Sequence, residues 1–83
     1  MTSVVAKVDV GFGNALYIRG TGPGMSWEKG VVMMNTAADE WLWSSAAASS
    51  IFVFKVLIND DIWSLGLDTI VVPGEQLVVE PTF

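Results

Sequence analysis

The chain has 83 residues, of which 52% are hydrophobic and 16% are charged, and its net charge is -5. A chain of this length buries enough surface for one small core, so we expect a single domain over residues 1–83. The apolar content excludes a disordered chain, and the negative charge disfavours nucleic acid and anionic membrane surfaces as partners.

Cysteine and histidine are absent from the sequence. The chain therefore has no disulfide framework, no thiolate nucleophile and no imidazole base, and we expect a protein that is not an enzyme and has no metal or cofactor. Lys7 and Asp9 interrupt an N-terminus too short for a signal peptide, and no run approaches the roughly eighteen apolar residues of a membrane span. We expect a soluble chain and leave its compartment open.

The first two predicted strands, residues 4–10 and 15–19, alternate with a period of two. The intervening "GFG" predicts a hairpin turn between them. It begins like a dinucleotide-binding loop but lacks a third glycine at the required spacing. The glycine-rich loop "GTGPG", residues 20–24, then leads to Trp27.

Later segments complete an all-β pattern. Strands are predicted at 31–35, 40–44 and 51–59, and a closing pair flanks the turn at Pro73 and Gly74. About seven short strands separated by turns are typical of a small antiparallel sandwich or barrel. We expect the alternating Trp41 and Trp43 to fill its core.

Residues 36–50 leave an alternative open. Thr36 is a plausible helix N-cap, Asp39 follows it at the capping-box spacing, and alanines are frequent. The serines cluster, however, and the segment has no clear apolar stripe, so we expect a strand at 41–44 and a loop at 45–50.

The fifth strand, 51–59, contains a lysine between apolar neighbours. Alternation puts Lys55 on the outer face, where it either approaches a ligand or merely covers apolar surface and discourages edge aggregation. The outer face is expected to carry Ile51, Val53, Lys55, Leu57 and Asn59, and the core face to carry Phe52, Phe54, Val56 and Ile58.

Trp27 and Trp63 each follow or end a loop and have acidic neighbours. A tryptophan in that setting is often partly exposed, although large aromatic side chains also lie half-buried over small cores. We expect both indoles to be partly exposed.

The segments "LYIRG", "SWEKG", "FVFKVLIND", "DIWSLG" and "VVEPTF" occur in an order that resembles the starch-binding domain of the family 20 carbohydrate-binding modules. A more distant resemblance is to the glycogen-binding domain of the AMP-activated protein kinase β-subunit. The resemblance covers nearly the whole chain. It implies a small antiparallel immunoglobulin-like β-sandwich that binds an α-glucan without catalysis.

The resemblance also implies a glucan site. Its matching positions are Trp27, Lys55 and Trp63, with the lysine donating to sugar hydroxyls between two aromatic platforms. Glu28 follows the first tryptophan as an acid does in some members, and Asp68 falls where the family has an asparagine. The family's second sugar site would match at Phe12, which has no aromatic partner near residues 36–38.

Two alternatives remain open. A structural or protein-interaction sandwich without sugar binding is favoured if the two predicted indoles are buried or far apart. An enzyme based on Asp60 with Asp61, or Asp39 with Glu40, is disfavoured because adjacent carboxylates on a strand point to opposite faces. A parent enzyme or a weak homodimer is a further possible partner.

Overall fold

Nine β-strands follow one another along the chain with no helix between them. A computed structural model describes all residues, Met1–Phe83. The strands are β1 (Thr2–Lys7), β2 (Leu16–Gly20), β3 (Val31–Val32), β4 (Met34–Ala37), β5 (Glu40–Ser45), β6 (Phe52–Ile58), β7 (Ile62–Trp63), β8 (Thr69–Val71) and β9 (Gln76–Val79). The predicted all-β fold is confirmed, and the helical alternative for residues 36–50 is wrong. No helix able to cross a membrane is present.

The strands form two sheets that pack into a sandwich. The first sheet has the order β4-β5-β1-β9, and in it β1 and β9 run parallel. The second sheet has the order β3-β2-β6, and both β7 and β8 pair with the far edge of β6. Every pairing other than β1 with β9 is antiparallel.

Two predicted hairpins are wrong, because their turns carry the chain between the sheets. β1 pairs with β5 and β9, whereas β2 pairs with β3 and β6, so the "GFG" segment is a crossover. Two side-chain hydrogen bonds fold that segment. The Asp9 carboxylate accepts from the Gly11 N–H, and the Asn14 side-chain amide donates to the Val10 carbonyl. The turn at Pro73 and Gly74 likewise joins β8 of the second sheet to β9 of the first.

The strand predicted at 31–35 is split into β3 and β4 by Met33. Its side chain is buried in the core, and its N–H donates to the Leu16 carbonyl at 2.9 Å. The chain therefore changes sheets at a residue that contributes to both the core and the second sheet's edge.

The core fills the space between the two inner faces. Trp41 and Trp43 are buried as predicted, and Trp43 meets Phe52 edge to face at a centroid distance of 5.6 Å. Such aromatic pairs add about 0.5–1.5 kcal/mol to simple area burial. The buried residues of the cluster are Val4, Ala6, Leu16, Ile18, Met33, Trp41, Trp43, Phe52, Phe54, Val56 and Val71.

Leu57 departs from the predicted inner and outer pattern of β6. It lies on the outer face as alternation requires, yet it is fully buried. The reason is its position in the register, between Tyr17 of β2 and Trp63 of β7. Side chains on neighbouring strands therefore cover the outer face of the second sheet at this point.

Candidate functional site

The outer face of the second sheet brings together three of the predicted site residues, Trp27, Lys55 and Trp63. Directly paired residues in a sheet point to the same side. Arg19 pairs with Lys55, and Leu57 pairs with Trp63, so these four side chains share the outer face. Trp27 reaches the same region from the loop between β2 and β3.

The two predicted tryptophans lie side by side in space. The ring centroids of Trp27 and Trp63 are 6.4 Å apart, and their planes differ by 29°. This separation is within the range of interacting aromatic pairs. Trp63 is 42% exposed and Trp27 is half-buried, so both indoles retain accessible surface.

A short turn presents Trp27. The Ser26 hydroxyl accepts from the Lys29 N–H at 3.1 Å and donates to the Lys29 carbonyl at 3.2 Å, which leaves Trp27 and Glu28 at the tip. The loop is anchored below by Met25, which packs against the core. Serine side chains commonly make such local hydrogen bonds to the backbone in turns. Here the turn fixes the position of the Trp27 backbone, from which the indole extends.

A sharp turn returns Trp63 to the sheet. Asn59 and Asp60 have φ values of 54° and 56°, in the left-handed region that type I′ hairpin turns require. Asn and Asp tolerate this region better than other residues with a side chain. The Asn59 amide oxygen also accepts from the Ala15 N–H at 3.0 Å. The chain thereby reverses after β6, and β7 places Trp63 beside Leu57.

Arg19 connects these two turns. Its Nε donates to Asp60 Oδ1 at 2.9 Å, its Nη2 to the Asp60 carbonyl at 3.0 Å and its Nη1 to the Trp27 carbonyl at 3.0 Å. Its guanidinium carbon lies over the Trp63 ring, 5.2 Å from the centroid. Sequence reasoning missed Arg19 as a site residue, although its alternation with Ile18 puts it on the outer face.

Asp60 is held in its charged form. The Arg19 guanidinium lowers the pKa of Asp60 below its ordinary value, and the Gly30 N–H, which donates to Oδ2 at 3.1 Å, acts in the same direction. Partial burial opposes both effects. The charged carboxylate is therefore a fixed part of the site, with its lone pairs directed at Arg19 and Gly30.

The hydrogen bond that Lys55 makes is to the loop after β7, whereas the sequence resemblance implies a position between the two tryptophans. Its Nζ donates to the Gly66 carbonyl at 2.8 Å, and the cation that contacts both tryptophans is Arg19. An ammonium group has three N–H donors, so Lys55 keeps two for other acceptors. Glu28 and Asp68 are exposed.

Phe12 lies apart from this group. It is fully exposed on the rim of a concavity whose lining includes Asn14, Asn35, Ala38 and Trp41 but none of Trp27, Lys55 and Trp63. The Trp41 Nε1 is buried without a hydrogen-bond acceptor. The ring of Trp41 is itself in the core, so Phe12 is the exposed aromatic side chain of this concavity.

Two acidic side chains make ion pairs, and the acidic side chains form no metal-ligand cluster. Besides Asp60 with Arg19, Glu40 pairs with Lys7, which lowers the pKa of Glu40. No group of three or more potential ligand side chains is arranged to hold a metal ion. Comparisons of the chain with protein-family models, with curated proteins and with solved structures found no match.

Proposed function

We propose that this protein is a noncatalytic carbohydrate-binding module that recognises an α-glucan such as starch or glycogen. The observation that carries the proposal is the pair of partly exposed indoles, Trp27 and Trp63, whose centroids are 6.4 Å apart outside the second sheet. Two residues far apart in sequence are brought together without being buried. A pair of indoles that was fully buried, or whose rings lay far apart, would instead favour a structural role.

The chemistry of a glucan suits such a pair. A pyranose ring presents C–H bonds on its faces and hydroxyl groups around its rim, so it matches an aromatic plane bordered by polar groups. Lys55 offers two further N–H donors, and Glu28, which follows Trp27, and Asp68 have exposed carboxylates that can accept from sugar hydroxyls. The proposed roles are stacking on Trp27 and Trp63 and hydrogen bonding to the polar side chains.

The affinity is expected to be weak because the site is open. Each stacked ring contributes about 0.5–1.5 kcal/mol beyond area burial, by analogy with aromatic pairs. A dissociation constant between about 10 μM and 1 mM, roughly 4–7 kcal/mol, follows for a site with two rings and few donors. Binding would suit a polymer that offers many repeats of the same unit.

Tryptophan fluorescence tests the proposal directly. β-Cyclodextrin and maltoheptaose should change the emission of the exposed indoles, with half-saturation at or below about 1 mM, the weak end of the expected range. Cellohexaose, which has the same sugar and a different linkage, is the control ligand. A chain that gives no response at millimolar α-glucan, with its fold intact by circular dichroism, would contradict the proposal.

A protein-interaction domain is the second candidate, because an apolar row crosses the outer face of the first sheet. Two members of the row, Met34 and Val78, are exposed. The row runs in register over four adjacent strands and consists of Met34, Leu42, Val5 and Val78. Contiguous exposed apolar patches mark protein-interaction surfaces and ligand-binding grooves. A parent enzyme or a second copy of the chain is the proposed partner, and sedimentation of the isolated chain tests the second.

A further inference from the structure

We propose that Arg19 is the positioning residue of the indole pair, which it holds in one arrangement before any ligand arrives. The structural part of this inference stands on the contacts of Arg19 alone. Its consequence for affinity rests on the proposed glucan function. Arg19 itself is not proposed to touch the sugar.

The guanidinium joins three separate pieces of chain. One edge is bound to Asp60 through both the carboxylate and the backbone carbonyl, and the remaining nitrogen donates to the Trp27 carbonyl. The guanidinium carbon lies over the Trp63 ring, 5.2 Å from the centroid. The side chain is only 15% exposed, so these contacts are shielded from competition by water. A shift of either tryptophan's backbone would break at least one of them.

Arginine is required for this arrangement. The guanidinium presents five N–H donors in a rigid plane and stacks on aromatic faces, whereas a lysine ammonium is a single point of charge on a flexible stem. A lysine at this position can reach Asp60 or the Trp27 carbonyl but cannot hold both and cover the Trp63 ring. Arg19→Lys is therefore the conservative variant that keeps the charge and loses the geometry.

Asp60 is the second residue on which the position of Arg19 depends. Its carboxylate lies between Arg19 and the Gly30 N–H, and the left-handed turn at 59–60 directs it there. The fit is close, because a Cβ on Gly30 would overlap the Asp60 carboxylate and the Cβ of Tyr17. Gly30→Ala therefore displaces Asp60 and also presses on β2 at Tyr17, while Arg19 and both tryptophans are unchanged in sequence. This variant reaches the same contacts from the opposite side.

The functional consequence is preorganisation. Trp27 lies in a turn and Trp63 in the two-residue strand β7, so without Arg19 their side chains would have to be ordered when a ligand binds. Fixing them beforehand removes that cost, so loss of the Arg19 contacts should weaken α-glucan binding by about tenfold. The weakening should occur with the tryptophans and Lys55 unchanged in sequence.

Circular dichroism provides a readout that needs no sugar. Two close indoles give an exciton couplet, and comparison of the wild type with Trp63→Phe isolates the part due to this pair from any signal of Trp41 and Trp43. We expect Arg19→Gln, Arg19→Lys and Gly30→Ala to lose that part. The matched control is Lys7→Gln, which breaks the ion pair with Glu40 on the first sheet and should keep it.

The outcomes separate the two proposals. Loss of the couplet together with an about tenfold weaker glucan affinity supports the positioning role. Loss of the couplet in a protein whose wild type binds no glucan supports the role of Arg19 and overturns the proposed function. A couplet that persists in folded Arg19→Lys and Gly30→Ala overturns the positioning role, even if Arg19→Gln fails to fold.

Discussion

Arg19 and Lys55 are paired directly across β2 and β6, yet their charged groups go to different places. The guanidinium binds Asp60 and Trp27, and the ammonium group binds the Gly66 carbonyl. Like charges directly opposite in a sheet are destabilising, so each needs its own acceptors. This separation leaves one cation in contact with the indoles and, under the proposed function, the other for the sugar.

Trp63→Ala should abolish most α-glucan binding while leaving the fold intact. The indole is 42% exposed, so its removal costs little core packing but eliminates one stacking platform. We expect an affinity loss of about tenfold or more. Calorimetric titration with maltoheptaose measures it, and Ile70→Ala, an exposed apolar position on the same sheet, is the control. Equal losses in both variants would contradict a role specific to Trp63.

Lys55→Met should weaken binding by a smaller factor. The substitution keeps the apolar stem and removes the donors, and one hydrogen bond is worth about 0.5–1.5 kcal/mol, or roughly threefold to tenfold in affinity. The substitution also releases the Gly66 carbonyl. Gly66→Ala serves as the control, since φ at Gly66 is 91° and a side chain there perturbs the loop without removing the ammonium group. If Gly66→Ala weakens binding and Lys55→Met does not, the loop contributes to binding and the Lys55 ammonium group does not.

Acid should weaken the Arg19–Asp60 contact, and the pH at which it does so depends on the pKa of Asp60. The pKa of Asp60 is lower in the folded chain than its ordinary value, so its stabilising effect is complete above the unfolded-state pKa of about 3.9 and is lost as pH falls through the lower folded value. Thermal unfolding followed between about pH 6 and pH 2 tests this.

Asp60→Asn should flatten the acid limb of that stability profile. Glu40→Gln is the matched control, because Glu40 also pairs with a cation but does so on an exposed surface, where ion pairs contribute little. A profile for Asp60→Asn that falls as steeply as that of the wild type would exclude Asp60 as a source of the acid sensitivity.

The sequence predicts the strands and the core better than the connections. Period-two alternation identifies Phe52, Phe54 and Val56 as inner residues because a buried face must be apolar at every second position. The "GFG" segment is ambiguous, since glycine turn chemistry serves a hairpin and a crossover equally well. Met33 was assigned to one strand because a corner between sheets leaves no distinct local pattern.

For the candidate site, too, the sequence predicts the individual residues better than the contacts between them. Trp27 and Trp63 are recognisable from their loop positions, but the contact between them depends on two turns that are distant in sequence and are joined through Arg19 and Asp60. Arg19 meets Asp60, 41 residues later, only after β2 and β6 have paired. Local patterns do not encode that register, so the arginine's role is visible only in three dimensions.

Phe12 should not provide a second sugar site of comparable strength. It is a single fully exposed ring, and Trp41, the other aromatic residue at its concavity, is only 6% exposed. One ring offers half of the stacking surface available at Trp27 and Trp63. Titration with a short maltooligosaccharide should therefore give one ligand per chain, and Phe12→Ala should change the affinity by less than about twofold. A stoichiometry of two that falls to one in Phe12→Ala would instead establish a second site, and Trp63→Ala would then retain the binding at Phe12.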